Sequence, residues 1–396
     1  MLNARQHFPG ALDKTYLDAA CISLAPRPAV EAVEKFLDLS LTCPYESATA
    51  QHIAMDEMRG AARPIVARLL NAHQDGIALV ESTSHALALA ANALPLESGD
   101  RVLISDLEFM EVAIPWTQKQ KDGIAIDVVP NVEGEVRAED FAARLTPQTR
   151  VIVVSSVQWS NGYRCDLEAF SRLCRDRGIF LVVDAIQQLG AVPIDVRETP
   201  IDLIACGGHK WLNAPFGCGF LYISRETQQR LRPPIAGYLS LCDPVGGWGA
   251  YFQTPTITPV SDYAYVQAAR RYEAGGTANY PGAVGLAASV SMILNLGQQK
   301  ISEHVHGLTD RLIAGLEKLP VKVITPREHR RRAGIVTFSV GDSDANVALM
   351  NRLLEQRILV SVRYTSNVGG VRVSCHLFNC DEDVDKVLEA VGRLLR

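Results

Sequence analysis

Apolar runs alternate with helical patterns through the first two thirds of the chain. Three of these runs, at Arg101–Ser105, Val151–Ser155 and Phe180–Asp184, are continuous rather than alternating, which is typical of parallel strands buried on both faces of a sheet. Between the last two, Leu167–Arg177 has the pattern of a short amphipathic helix, and Gly178 follows it, as glycine often follows a helix. This strand–helix–strand order predicts an α/β fold with a mainly parallel sheet.

A segment without a clear period follows Arg232. Residues 233–263 are rich in proline, glycine and aromatic residues, and we expect a long functional loop there. Its aromatic residues, at Gly237–Tyr238 and Trp248–Phe252, either close on a larger or less polar substrate or pack a dimer. The sequence leaves both interpretations open.

The last third of the chain predicts a smaller α+β domain. Helical patterns cover residues 285–296, 302–319 and 345–356 and a final stretch from Asp381, and strand-like runs cover residues 334–338 and 371–374. We expect this part to combine with the N-terminal segment. The predicted division is a large domain over residues 20–288 and a small domain from residues 1–19 and 289–396.

Composition and charge exclude several classes of partner. The chain has 396 residues, of which 47% are hydrophobic and 21% are charged, and its net charge is −5, which is ordinary for a globular protein. For the tightest basic run, Arg330–Arg332, a solvated loop is a better interpretation than a nucleic-acid patch. No apolar run reaches the roughly 18 residues of a membrane span. We therefore expect no nucleic-acid partner and no membrane partner.

The cysteines and the N-terminus favour a cytoplasmic location. Nine cysteines are scattered through apolar segments, and none forms a Cys-x-x-Cys pair, so free thiols in a reducing compartment are expected. Residues 1–10 lack the apolar region of a secretory signal. His304 and His306 are two residues apart on a predicted helix and face different sides of it, so we expect no metal site.

Asp184 and Lys210 lie at or shortly after the ends of two predicted strands. Asp184 ends Phe180–Asp184, and Lys210 comes after the strand Ile201–Ala205 and a Gly-Gly turn, so both would face the crevice where open α/β sheets bind ligands. Alone, Asp184 has an ordinary explanation as a helix N-cap and Lys210 as a surface lysine. Together they favour an electron-sink cofactor, whose aldehyde the lysine carries while the carboxylate keeps a pyridine nitrogen protonated.

A third group of polar residues precedes a helix. Ser82–Ser84 follow the apolar run Ile77–Val80 and open an Ala/Leu-rich helical pattern that extends to Leu94. Free N–H groups, hydroxyls and the positive end of the helix dipole would form a phosphate site there. An ordinary N-cap explains the same residues, so both interpretations stay open at this point.

These pieces together resemble a known family. Asp184–Gln187 followed by Gly208–Trp211 is similar to the cofactor signature of the class V aminotransferase family, which includes cysteine desulfurases, isopenicillin N epimerase-like proteins and kynureninase. Further matches occur in the right order at Tyr16–Ala20, Glu108–Trp116 and Arg271–Thr277. The resemblance covers nearly the whole chain. It implies the fold-type-I transferase fold, with pyridoxal 5′-phosphate as the cofactor.

The resemblance implies four residues around the cofactor ring. Lys210 would be the catalytic residue, which carries the cofactor as a Schiff base and moves the proton at the substrate Cα. Asp184 would pair with the pyridine nitrogen, and Gln187 would contact the phenolic oxygen. Phe109 would stack on the ring face and hold it so that the breaking Cα bond stands perpendicular to the π system.

The resemblance also implies how the phosphate is held. Thr83, Ser84 and His209 would bind it, together with Thr277 of the partner subunit, so we expect a homodimer with shared active sites. One departure concerns Gly207, where the family often has a serine two residues before the histidine. Phosphate binding is therefore expected to rely more on the other hydroxyls and on the backbone.

Substrate binding is implied for residues at both ends of the chain. Arg372 would hold the carboxylate of an amino-acid substrate through two hydrogen bonds, and Ala20 would lie beside the substrate. For Arg363, a substrate role and a surface position are equally open. The segment Tyr364–Gly370, predicted as a loop, lacks the cysteine that one group of desulfurases carries there. This argues against a persulfide-forming enzyme of that type.

A desulfurase-like framework without that loop cysteine predicts a β-eliminating carbon–sulfur lyase, which acts at the Cα of a cysteine-derived amino acid. Elimination that releases the sulfur as a small thiol needs no protein cysteine to receive it. The alternatives are a class V aminotransferase or an amino-acid epimerase, which share the removal of the Cα proton. A nicotinamide-dependent enzyme would need a Gly-x-Gly-x-x-Gly turn after a strand, and none is present. A silent binding relative would lack Lys210 or Asp184, and both are present.

Overall fold

The computed structural model describes residues 4–273 and 276–396 as an α/β protein. The strands are β1 (Thr15–Tyr16), β2 (Ile77–Val80), β3 (Arg101–Ser105), β4 (Ala125–Val129), β5 (Thr149–Ser155), β6 (Phe180–Asp184), β7 (Leu203–Gly207), β8 (Gly219–Ile223), β9 (Lys322–Val323), β10 (Ile335–Ser339), β11 (Ile358–Leu359), β12 (Ser361–Thr365) and β13 (Val368–Ser374). The helices are α1 (Pro9–Asp13), α2 (Arg27–Thr42), α3 (Ala48–Gly60), α4 (Ala62–Leu69), α5 (Thr83–Ala93), α6 (Met110–Lys119), α7 (Ala138–Ala142), α8 (Leu167–Arg177), α9 (Arg225–Gln228), α10 (Gly247–Phe252), α11 (Tyr280–Leu296), α12 (Gln298–Leu316), α13 (Ser343–Glu355) and α14 (Asp381–Leu394). Residues 1–3, in the predicted small domain, and residues 274 and 275, in the matched segment at 271–277, lie outside the described residues.

Strands β2 to β8 form a seven-stranded sheet in the order β2-β8-β7-β6-β5-β3-β4. The pairs from β7 to β4 are parallel, whereas β8 runs antiparallel to both β7 and β2. The predicted, mainly parallel sheet is therefore confirmed. The strand expected at residues 201–205 lies at 203–207 instead, because Asp202 accepts a hydrogen bond from the Leu181 N–H through its side chain at 2.8 Å and does not join the ladder.

Alternate residues of the central strands pack into two hydrophobic clusters, one on each face of the sheet. Leu103 and Leu181 belong to the first cluster, which includes residues of α4, α8 and α11. Val102 and Val182 belong to the second, which includes residues of α5 and α6. Both faces of the sheet are buried, and this explains why the strands are continuous apolar runs.

A second, antiparallel sheet has four strands in the order β12-β13-β10-β9. It packs with α12 and α14 around a third hydrophobic cluster that includes Leu312, Val336 and Val391. The N-terminal segment lies here as well, since β1 pairs with β11 and the ring centres of Phe8 and Phe378 are 4.8 Å apart. The domain boundaries at residues 20 and 288 stay a prediction.

Helix α11 begins earlier than its apolar pattern predicts. Asn279 caps it by accepting a hydrogen bond from the Gly282 N–H at 2.9 Å, so the helix starts at Tyr280. Over residues 4–273 and 276–396, no single helix is long and apolar enough to cross a membrane. Helices α11 and α12 meet that condition only as a pair, which is bent by 79°.

The segment 233–263, predicted as a loop, contains the short helix α10. Trp248 packs against Tyr251 and Phe252, with ring centres 5.6 and 5.7 Å apart. Residues three and four positions apart share one face of a helix, so a helical turn lets these rings meet. The loop prediction was wrong for this stretch. A cavity of about 610 Å³ lies among the aromatic side chains, and both interpretations of them stay open.

Candidate active site

A cavity of about 400 Å³ lies where the carboxyl ends of β5, β6 and β7 meet the beginning of α5. This is the position at which open α/β sheets bind ligands. The residues predicted for the cofactor and substrate that line this cavity are Ala20, Thr83, Ser84, Phe109, Asp184, Gln187, His209, Lys210, Arg363 and Arg372. Thr277 is exposed and lies outside the lining, so its role in the partner subunit's site stays a prediction.

Asp184 occupies the last position of β6 and is only 4% exposed. One of its carboxylate oxygens accepts a hydrogen bond from the Ile186 N–H at 2.9 Å. Burial raises the pKa of Asp184 to about 6, and the Lys210 ammonium acts in the opposite direction. Burying a carboxylate without a partner costs free energy. A protonated ring nitrogen beside Asp184 would offset this cost, and the carboxylate would in turn stabilise the protonated ring.

Lys210 follows β7 after a close turn of the backbone. A Cβ atom at Gly208 would lie 2.7 Å from the Cβ of Ala214 and 2.9 Å from the Cys218 carbonyl oxygen, so only glycine fits. Lys210 Nζ lies 5.9 Å from the centre of the Phe109 ring. Burial lowers the pKa of Lys210 to about 8, although Asp184 acts to raise it. Part of the amine is therefore neutral and nucleophilic near neutral pH.

The first turn of α5 offers donors to an anion. Ser82 caps the helix by accepting a hydrogen bond from the His85 N–H at 3.0 Å, while the N–H groups of Thr83 and Ser84 have no partner within the helix. Thr83 Oγ1 accepts a hydrogen bond from the Gly207 N–H at 2.8 Å, which leaves its own O–H to donate. A Cβ atom at Gly207 would lie 2.9 Å from Thr83 Oγ1. The close approach of Thr83 therefore explains the glycine where the family often has serine.

His209 lies at the same end of the cavity and stacks on Phe216, with ring centres 5.2 Å apart. Burial, assisted by the Lys210 charge, lowers the pKa of His209 to about 4, so the imidazole is neutral at neutral pH. A neutral imidazole donates one hydrogen bond and adds no positive charge. The attraction for an anion at this end therefore does not come from His209, and the helix N-terminus contributes to it.

Gln187 is fixed by two buried partners. Its Nε2 donates to the Ala20 carbonyl at 3.0 Å, and its Oε1 accepts from the Trp211 indole N–H at 2.8 Å. Trp211 therefore decides which end of the amide faces the cavity, and one Nε2 hydrogen is left for a ligand. Sequence reasoning missed this role of Trp211, although its place directly after Lys210 was a signal.

Phe109 and Trp159 pack edge to face on the cavity wall, with ring centres 5.1 Å apart. Behind them, Glu108 accepts hydrogen bonds from the Ser155 N–H at 2.9 Å, from the Ser155 hydroxyl, and from Gln158 Nε2 at 3.0 Å. Burial raises the pKa of Glu108 to about 7. This network joins the segment that carries Phe109 to the end of β5.

Arg372 lies on β13 with a side chain that is 1% exposed. Its Nη2 donates to Asp18 Oδ1 at 3.0 Å, and its Nη1 donates to the Trp159 carbonyl at 3.0 Å. Its Nε has no hydrogen-bond partner among the described residues. Burial lowers the pKa of Arg372, and Asp18 opposes this shift. A buried donor without an acceptor is unfavourable, so this guanidinium suits an added carboxylate.

Cys21 also lines the cavity, and sequence reasoning missed it. Its Sγ lies 3.7 Å from Nη2 of Arg363, while Nη1 of Arg363 donates to the adjacent Val362 carbonyl at 2.8 Å. The available signal was its position directly after the matched segment Tyr16–Ala20. All nine cysteines lie in the described part of the chain and are free thiols, as predicted.

The segment Tyr364–Gly370 is a β-hairpin rather than a loop. Its strands, β12 and β13, are joined by Ser366 and Asn367, which have φ angles of 47° and 63°. Such left-handed residues match the twist of a two-residue hairpin turn. Ser366 also donates a hydrogen bond to the Asp106 carbonyl at 2.8 Å. The loop prediction was wrong here, and the paired strands hold this segment in place.

Comparisons with known proteins identify the family and the fold. A probable cysteine desulfurase of Pyrococcus abyssi (strain GE5 / Orsay) is 27% identical, and the alignment covers 100% of this chain and 97% of that protein. A structure of a C-DES mutant with glycine covalently linked to the PLP cofactor has a TM-score of 0.87 at 23% identity and covers 98% of each chain. The complex between the cystine C-S lyase C-DES and its reaction product cysteine persulfide has a TM-score of 0.86 at 24% identity and covers 97% of this chain and 99% of that chain.

The structural likeness confirms the predicted fold-type-I fold. The family model described as aminotransferase class-V matches residues 15–387. Because this match spans most of the chain, the protein belongs to the aminotransferase class-V family.

Proposed function

We propose that this chain is a pyridoxal-phosphate-dependent lyase, which breaks the carbon–sulfur bond of a cysteine-derived amino acid by β-elimination. The observation that carries the proposal is one cavity lined by Lys210, the buried carboxylate of Asp184, the start of α5 and the incompletely paired Arg372. Family membership supports the cofactor. The relatives, a probable cysteine desulfurase and a cystine C-S lyase, support the class of substrate.

The residues around the cavity fit pyridoxal 5′-phosphate. Lys210 offers an amine to the aldehyde, and Asp184 offers a buried carboxylate to the pyridine nitrogen. Thr83 and Ser84 offer hydroxyls and N–H groups to the phosphate at a helix N-terminus. Phe109 offers an apolar face to the ring. The volume of about 400 Å³ lies within the range of cofactor and small-molecule sites.

Asp184, Arg372 and Lys210 have separate roles in the proposed reaction. When bound, pyridoxal 5′-phosphate supplies an aldehyde that takes up the substrate amine and a conjugated ring that spreads the negative charge left at Cα. Asp184 holds a proton on the ring nitrogen, which strengthens this effect. Arg372 binds the substrate carboxylate and fixes the orientation of Cα. Lys210 removes the Cα proton through Nζ, and its pKa of about 8 suits a base that works near neutral pH.

The lyase is preferred over the alternative reactions because of what the protein offers to the sulfur atom of the substrate. The hairpin at residues 364–370 contains no cysteine and is held by strand pairing, so a desulfurase that uses a cysteine there is not favoured. An aminotransferase or an epimerase would use the same Lys210 and Asp184. Neither alternative is favoured by the probable cysteine desulfurase and the cystine C-S lyase reported above, whose names refer to cysteine and cystine.

The proposal is tested by offering the purified holoenzyme L-cystine, S-methyl-L-cysteine and L-alanine, each with and without a keto acid. We expect pyruvate and ammonia from the sulfur amino acids without any keto acid. Activity that requires a keto-acid acceptor would overturn the lyase proposal in favour of an aminotransferase. Exchange of the Cα hydrogen without release of pyruvate would overturn it in favour of an epimerase.

A second experiment tests the attachment of the cofactor. Borohydride reduction of the wild-type holoenzyme is expected to fix the cofactor on the peptide that contains Lys210, because reduction makes the lysine linkage permanent. Lys210→Ala is expected to give no labelled peptide, whereas Lys322→Ala, at an exposed position, should label like the wild type. Labelling that survives in Lys210→Ala would contradict the assignment.

The predicted assembly and location belong to the same proposal. A homodimer would bring Thr277 of the partner subunit to the phosphate. A cytoplasmic location and the lack of nucleic-acid and membrane partners are supported by the composition and by the scattered cysteines. These statements stay predictions.

A further inference from the structure

Cys21 is a free thiol in the wall of the cavity. Its backbone N–H donates to the Asp18 carbonyl at 3.0 Å, so a turn after β1 fixes its position. Its Sγ lies 3.7 Å from Nη2 of Arg363. Lys210 and Arg372 line the same cavity as Cys21. The thiol therefore borders the same space as the residues that would bind the substrate.

Arg372 gives independent evidence that an anionic ligand enters this space. Its side chain is 1% exposed and lines the cavity, and its Nε has no hydrogen-bond partner within residues 4–273 and 276–396. A carboxylate supplies the acceptor that this buried donor lacks. If the carboxylate of an amino acid lies at Arg372 and its nitrogen lies at Lys210, its side chain contacts the rest of the cavity wall. That wall includes Arg363 and Cys21.

The other cysteines do not share this position. Cys43 and Cys242 are exposed free thiols, but they lie outside the cavity lining. A thiol inside a cavity meets a group released there at a high effective concentration. Arg363 also places a positive charge beside any anionic sulfur group that forms on Cys21. Cys21 is thus the exposed thiol best placed to react with a sulfur leaving group.

We infer that Cys21 accepts the outer sulfur atom of a persulfide released in the cavity. The inference rests on the proposed lyase function, in which elimination from a disulfide such as L-cystine releases a persulfide, R–S–SH. The Cys21 thiolate attacks the terminal sulfur, a bond forms from Sγ to that sulfur, and the S–S bond of the persulfide breaks. The leaving group R–S⁻ takes up the proton that the thiol lost. The products are Cys21–S–SH and R–SH, and the exchange is redox neutral.

The experiment uses the wild-type holoenzyme with L-cystine and no added reductant. The protein is then alkylated and digested, and the persulfide on each cysteine peptide is measured by mass spectrometry. We expect about tenfold more persulfide per pyruvate formed on Cys21 than on Cys43 or Cys242, because the exchange occurs in a confined site. S-Methyl-L-cysteine is the matched substrate without a second sulfur, and it should yield pyruvate without persulfide on Cys21. Equal labelling of the three cysteines, or labelling with S-methyl-L-cysteine, would overturn the inference.

A parallel incubation with cysteine persulfide separates this inference from the lyase proposal. If L-cystine gives no pyruvate but the added persulfide still labels Cys21 in preference to Cys43, the lyase function fails and the acceptor stands. Equal labelling of both cysteines by the added persulfide would refute the acceptor whatever the turnover. Arg363→Gln should slow the labelling of Cys21 several-fold, whereas Arg330→Gln, at an exposed position, should not. Unchanged labelling in Arg363→Gln would also overturn the assignment.

Discussion

Replacing Glu108 by glutamine removes a carboxyl group that is 8% exposed and lies behind the cavity wall. The carboxylate accepts hydrogen bonds from Ser155 and from Gln158, which favour its charged form. Burial favours the neutral form more strongly and raises the pKa of Glu108 from 4.5 to about 7. Glutamine keeps the size of the side chain and one acceptor oxygen, so the substitution mainly removes the titration.

The size of the effect follows from the difference in pKa between the folded and the unfolded chain. A carboxyl group whose pKa is raised on folding contributes its full stability below its unfolded pKa of about 4.5, and that contribution is lost as the pH rises through about 7. Each unit of difference in pKa corresponds to about 1.36 kcal/mol. When the pH rises from about 5 to about 8, the titration of Glu108 is therefore expected to lower the free energy of unfolding by about 2–3 kcal/mol.

Urea unfolding of the cofactor-free protein across this pH range measures the effect. The wild type is expected to lose more stability towards pH 8 than Glu108→Gln, by about 2–3 kcal/mol. Glu303→Gln, which changes an exposed glutamate, is the matched control and should follow the wild-type profile. If the profiles of the wild type and Glu108→Gln are parallel, the reasoning that burial dominates at this site is wrong.

Four further substitutions, one of them a matched control, test the packing and the hydrogen bonds that shape the cavity. Gly190→Ala would place Cβ 2.0 Å from the Trp211 carbonyl oxygen, at a φ of +98°, so thermal unfolding should show a loss of stability of more than about 3 kcal/mol. Gly178→Ala is the matched control, because Gly178 has a φ of +65° but open space around it, and it should lose only about 1–2 kcal/mol of stability. Trp211→Phe leaves Gln187 Oε1 without its buried donor and should lower the free energy of unfolding in urea by about 1–3 kcal/mol; an unchanged value would contradict the assigned contact. Arg372→Lys should reduce kcat/KM for the amino-acid substrate about 10- to 100-fold, since a charge-assisted hydrogen bond contributes about 1.5–3 kcal/mol, with the absorbance of the bound cofactor retained as the control.

The elements that were predicted well are those whose signal is local. The strands at Arg101–Ser105 and Phe180–Asp184 and the helix Leu167–Arg177 have the predicted ends, because burial on both faces leaves a continuous apolar run and a glycine marks the helix end. The hairpin turn at Ser366 and Asn367 was missed, since it lacks the glycine that usually marks such turns. Helix α10 was missed because its glycines disfavour a helix in the sequence, whereas the contact among its aromatic rings is visible only in the structure.

The sequence by itself determined the α/β class and predicted the residues that would bind the cofactor. Asp184 and Lys210 could be proposed because Asp184 ends one buried strand and Lys210 lies shortly after another, and parallel strands end at one edge of a sheet. Only the tertiary structure decided which distant residues meet. Arg372 and Asp18 are 354 residues apart, and Arg363 and Cys21 are 342 residues apart. No local pattern encodes such contacts or the burial that sets the pKa of Glu108, because both arise when separate segments pack and exclude water.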